Sequence, residues 1–135
     1  MAVQLSTTVR NARLDAIETA IGTAPLLKIR TGAQPATCAT ADSGTVVATL
    51  TLPSDWLAAA SSGSKAKSGT WQDSSADASG TAAHFRIYDS TGTTCHLQGS
   101  VTATGGGGDM TVDNTSFSAG QSFTINTFTL TDANA

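Results

Sequence analysis

The sequence predicts an all-β protein, mainly an antiparallel β-sandwich or jelly roll, preceded by one N-terminal α-helix. Three observations predict it. Beyond Pro25 the apolar residues recur with a period of two, whereas before it they recur at spacings of three and four. Clusters of Gly, Asp, Asn and Ser punctuate the chain about every eight to twelve residues. No helical segments alternate with the strands, which disfavours a parallel α/β sheet. Residues 1–24 read as an arm and helix, and residues 25–135 as a single β-sandwich domain. A chain of 135 residues is long enough to bury a core without help from metal or disulfide.

The helix is expected to begin at Ser6, a hydroxyl N-cap, and to run through "TTVRNARLDAIETAI". Val9, Ala12, Ala16, Ile17, Ala20 and Ile21 form the stripe expected to face the core. Arg10, Arg13, Asp15 and Glu18 lie off it. Gly22 supplies a left-handed stop, and Pro25 prevents resumption.

"LLKIR", residues 26–30, then reads as a short strand. Residues 32–44 read as a loop, and "TVVATLTL", residues 45–52, as a half-buried strand. Residues 53–64 connect, with "SDWLAAA" able to form one helical turn. Residues 65–73 are a weak strand anchored by Trp71. "AAHFRIYD" and "TTCHLQGSVTA" alternate on either side of "DSTG" and predict a hairpin. Its parity sets His84, Arg86 and Tyr88, with His96, opposite Phe85, Ile87, Cys95 and Leu97. Gly105 to Gly108 read as a flexible turn. In "GQSFTINTFTLTD" the apolar parity flips between Ile125 and Phe128, predicting a bulge near Asn126-Thr127.

Composition excludes several classes. Charged residues make up 13% of the chain, against about 25% in ordinary domains, and Ala, Thr, Ser and Gly fill the difference. Such a surface suits contact with other protein. Seven scattered Lys and Arg and a net charge of −3 offer no patch for phosphates, so no nucleic-acid partner is expected. No apolar run approaches the roughly 18 residues of a membrane span. The start "MAVQLSTTVRNARLD" lacks the pattern of a secretory signal. Manufacture in a reducing cytoplasm favours free thiols at Cys38 and Cys95, with a disulfide between them as the alternative.

The chemistry-bearing residues give no catalytic, cofactor or metal assignment. His84 and His96 lack the third ligand of a zinc site, because Cys95 points away by parity. "GGGGDM" lacks the lysine of a phosphate loop. "SGSK", residues 62–65, has no nucleophile elbow around it. Asp73, Asp77 and Asp89 sit in or near turns, where Asp binds backbone, and Glu18 is on the helix's polar side. Trp56 and Trp71 are expected as core or interface anchors. An enzyme is not expected.

Four segments carry a family likeness: "LSTTVRNARLDAIETAIGTAPLLKIRTGAQPAT", "GTVVATLTLPSDW", "SSADASGTAAHFRIYDSTGTTCHLQGSVTATGGGGDM" and "FTLTDANA". Together they resemble a family of small proteins of tailed-bacteriophage and prophage genomes. The resemblance implies a virion protein made in the host cytoplasm. Small β-sandwich proteins of that kind serve as capsid decoration or cement. They bind as homodimers or homotrimers across the capsomers of the major capsid protein and stabilise the mature head. The alternatives are a tail- or fibre-associated β-module, or a host-surface or glycan-binding module using Trp56, Trp71 or Tyr88.

Overall fold

The computed structural model describes residues 3–132. Helix α1 spans Thr7–Ile21. Ten strands follow: β1 Leu26–Arg30, β2 Val46–Thr51, β3 Ser64–Ala66, β4 Gln72–Asp73, β5 Gly80–Thr81, β6 His84–Tyr88, β7 Cys95–Ala103, β8 Met110–Val112, β9 Ser116–Phe117 and β10 Phe123–Thr131. The protein is therefore mostly β with one N-terminal helix. No described helix is long and apolar enough to cross a membrane.

Eight strands join in one mixed sheet in the order β2-β1-β6-β7-β8-β10-β3, with β4 also paired to β10; β5 and β9 form a separate ribbon. The path curls strongly. Phe85 of β6 meets Phe128 of β10 edge-on at 5.5 Å, although two strands lie between them. The ends of the path converge, where the Thr49 N–H of β2 donates to Asp73 Oδ2 of β4 at 3.3 Å. An aromatic line runs through the enclosed core, Trp56 to Trp71 at 6.1 Å and Trp71 to Phe128 at 5.4 Å. Both indoles are buried, and each donates its N–H to a carbonyl, Trp56 to Gly22 and Trp71 to Ser68. A buried indole needs that partner.

Several boundaries match the sequence reading. Ser6 Oγ accepts from the Val9 N–H, and Gly22 ends the helix at a φ of 94°. β1 spans the expected five residues. The hairpin forms between β6 and β7. The register of β10 against β8 shifts between Ile125 and Thr127, the place where the parity flips.

Others need correction. The helix is turned by about one residue, or about 100°, from the expected orientation. Leu14 and Ile21 are buried and Ile17 half-buried, together with Arg10, Asn11 and Glu18, while Val9, Ala12, Ala16 and Ala20 are exposed. "SDWLAAA" forms no helical turn; the Ala58 N–H pairs with the Ala66 carbonyl at 2.8 Å, and the segment lies extended along β3. The strand expected over residues 65–73 divides into β3 and β4.

The glycine run is also more specific than a flexible turn. It connects two parallel neighbours, β7 and β8, through only six residues, where parallel neighbours usually need about a dozen or more. The tight return packs on Thr102, whose Oγ1 accepts from the Gly108 N–H at 2.9 Å. A Cβ on Gly106 or Gly108 would lie within 2.8 Å of the Thr102 side chain, closer than real side chains approach.

Candidate functional site

Residues 84–113 hold both histidines and Cys95, and the fold separates them. β6 is buried along its whole length. One face, with Phe85 and Ile87, meets the core; the other, with His84, Arg86 and Tyr88, lies under the loop formed by residues 31–45. The alternation is as expected, but the second face meets that loop and not solvent.

The loop is closed at its neck by Thr31, whose N–H donates to the Thr45 carbonyl and whose Oγ1 accepts from the Thr45 N–H. Gly44 belongs to the same closure. Its φ is 71°, and a Cβ there would fall 1.8 Å from the Thr31 carbonyl oxygen. Asp42 is the hub beneath. Its Oδ1 accepts from Arg86 at 2.7 Å and from the Tyr88 hydroxyl at 2.6 Å, and its Oδ2 accepts from Arg30 at 2.9 Å. Arg86 also donates to the carbonyls of Thr37 and Thr40 and to Gln98 Oε1, and Gln98 donates to the Pro35 carbonyl. Arg86 and Arg30 are thus committed to internal acceptors, and their charge is spent on holding the loop down.

Electrostatics follow from these contacts. Partial burial pushes the Asp42 carboxyl up, but hydrogen bonds from Tyr88 and Arg86 and the two guanidinium charges outweigh it and hold the group below the usual carboxylate range. Burial, then the bond to Asp42, raises the Tyr88 phenol. His84 Nδ1 lies 2.9 Å from the Gly32 carbonyl and donates to it, while its buried Nε2 has no partner. Burial first, then the nearby Arg30 and Arg86 charges, outweighs the pull of Gly32 and Asp42 and depresses its pKa, so His84 is neutral at pH 7.

His96 lies exposed near the other end of the hairpin, so the two histidines do not converge. Cys95 does not share the Leu97 face. A bulge between Ile87 and Tyr88 makes Leu97 the partner of Ile87 and Cys95 the partner of Tyr88, so Cys95 turns toward the loop. There it lines a cleft of about 220 Å³ with Cys38, Asp42, Arg86 and Tyr88. Both thiols are free and half-buried.

The remaining candidates are structural. Lys65 of "SGSK" is buried, with its Nζ on Asp15 Oδ1 at 2.7 Å, Glu18 Oε2 at 2.9 Å and the Ala58 carbonyl. Asp73 accepts from the Ser75 and Thr49 N–H groups, Asp77 from the Thr49 hydroxyl, and Asp89 from Thr91 and Thr93 within its turn. Trp56, Trp71 and Tyr88 are at most 3% exposed. They form no surface row on which a sugar could stack.

Two features face outward. A cleft of about 400 Å³ opens between β7 and β10 over Phe85, Leu97, Phe128 and Leu130. The helix presents Val9, Ala12, Ala16 and Ala20, and the preceding arm presents Val3 at 83% exposure. Leu14 and Ile21 are buried and Ile17 packs against the core, so among apolar residues the outward side keeps Val9 and small alanines. Polar contacts flank that apolar docking: Lys65 holds Asp15 and Glu18, Asp132 holds Arg10 and Arg13, and Asn11 takes the Gly63 N–H. The expected stripe omits Leu14, whose spacing of three and four to Ile17 and Ile21 is the apolar signal for the inward side. A second signal is Lys65 itself, a cation in a short alternating run, with two helix acids spaced one turn apart to receive it. No family model, curated protein or solved structure matches the chain.

Proposed function

We propose that this chain is a structural virion protein of a tailed bacteriophage: a capsid decoration protein that binds across capsomers of the major capsid protein and stabilises the mature head. The observation that carries this reading is the outward side of the helix: with Leu14, Ile17 and Ile21 turned in, Val9, Ala12, Ala16 and Ala20, with Val3 of the preceding arm, are turned to the outside. Small apolar side chains on an exposed helix allow close approach of another protein surface at little entropic cost. The low charge of the chain supports the same reading. Cement acts by mass action, since a protein that binds only the expanded lattice stabilises that lattice, and many modest contacts add through avidity. In fold terms, we read the sheet, curled until Phe85 meets Phe128, as sandwich-like. Its partners are the major capsid protein and further copies of itself, and its place is the capsid surface.

The test is quantitative mass spectrometry of purified virions together with co-sedimentation on expanded and unexpanded shells. On the order of hundreds of copies per particle, with binding only to expanded shells, is expected for a symmetric shell. Six or twelve copies would move the protein to the tail, and retention on host glycans without particle binding would replace the reading altogether.

A further inference from the structure

We propose that Cys38 and Cys95 form a dithiol site that closes to an intramolecular disulfide when the protein meets a disulfide oxidant. The placement is built from three independent elements. First, Arg86 donates to the carbonyls of Thr37 and Thr40 at 2.9 and 3.0 Å, which flank Cys38 and hold that part of the loop on the sheet. Second, the bulge between Ile87 and Tyr88 turns Cys95, the first residue of β7, to the same side. Third, the two side chains line one cleft of about 220 Å³. Asp42, Arg86 and Tyr88 are the charged and titratable groups around them.

The chemistry balances by thiol–disulfide exchange. One cysteine, as thiolate, attacks a sulfur of a small-molecule disulfide such as oxidised glutathione. That S–S bond breaks, and one glutathione thiolate leaves and takes up a proton. The second cysteine then attacks the mixed disulfide, forming the Cys38–Cys95 bond and expelling the second glutathione thiol. Two protein thiols are oxidised and one small disulfide is reduced. Burial, together with the contact with Cys38, pushes the Cys95 thiol up to about 11. Cys95 is therefore a slow nucleophile, and closure is expected to be slow. Closure staples the loop to β7 and shortens the unfolded chain's freedom across residues 38–95.

The experiment uses the full-length reduced protein, incubated with oxidised glutathione under native conditions. Expected are the loss of two hydrogens in intact mass, a peptide pair joining Cys38 to Cys95, and a rise in Tm of about 10 °C. Cys38→Ser and Cys95→Ser, with folding confirmed by circular dichroism, should each take up one glutathione and show no such rise. Stable glutathione adducts on both cysteines of the native chain would overturn the proposal, as would interchain-linked dimers or thiols that remain unmodified. None of these outcomes depends on the protein's place in a virion.

Discussion

Lys65 Nζ lies 2.7 Å from Asp15 Oδ1, and this contact ties the helix to β3. The lysine is 2% exposed, so its charge must be met by protein groups. Burial pulls its pKa down, but its hydrogen bonds to Asp15 and Glu18 outweigh that and raise it. Replacing Lys65 by Ala removes the centre of the clamp and leaves Glu18 facing an empty site. A loss of about 2–4 kcal/mol in urea unfolding is expected, with Lys65→Met losing less because its stem still packs.

Asp42→Asn leaves Arg30 and Arg86 without their shared carboxylate. Arg86 is 2% exposed, so the variant should lose about 2–4 kcal/mol. Limited proteolysis should then cut within residues 33–44, which are held in the parent.

Stability should fall in two stages with acid. His84 has a folded pKa below its ordinary 6.5, so the unfolded chain binds the proton more readily. Its contribution is complete above about pH 6.5 and is lost as pH falls through the depressed folded value. Asp42 is likewise depressed below 3.8, so its contribution is present above that pH and is lost on further acidification. Urea midpoints across this range check both stages, and Asp42→Asn should shrink the lower one, which Asp15 and Asp89, also depressed, share.

Trp71→Ala should cost about 3–5 kcal/mol, because the indole is 1% exposed and links Trp56 to Phe128. A variant that kept full stability while losing retention on a sugar column would contradict a core role.

Ala16→Glu changes an exposed position to a good helix former, so unfolding should move by no more than about 0.5 kcal/mol. The same variant should lose binding to expanded shells, because a charge is buried at the contact. Unchanged binding would place the contact on another face.

Gly44→Ala should destabilise by at least about 2 kcal/mol, because it combines a positive φ with a clash against the Thr31 carbonyl.

Local chemistry determined much of this protein from sequence alone. The Ser6 cap, the Gly22 stop, β1, the β6–β7 hairpin and the break near Asn126 each depend on neighbours a few residues away, so their signals lie within short windows. Tertiary structure decided the rest. The clamp on the helix depends on Lys65, 50 residues from Asp15 along the chain. The burial of His84 depends on a loop bound by Asp42, and the turn of Cys95 toward Cys38 depends on a single bulge. The parallel pairing of β7 and β8 depends on Thr102 receiving the glycines. Charge pairing, loop closure and register act between distant segments, so hydrophobic periodicity, which ranks faces one element at a time, carries no information about them.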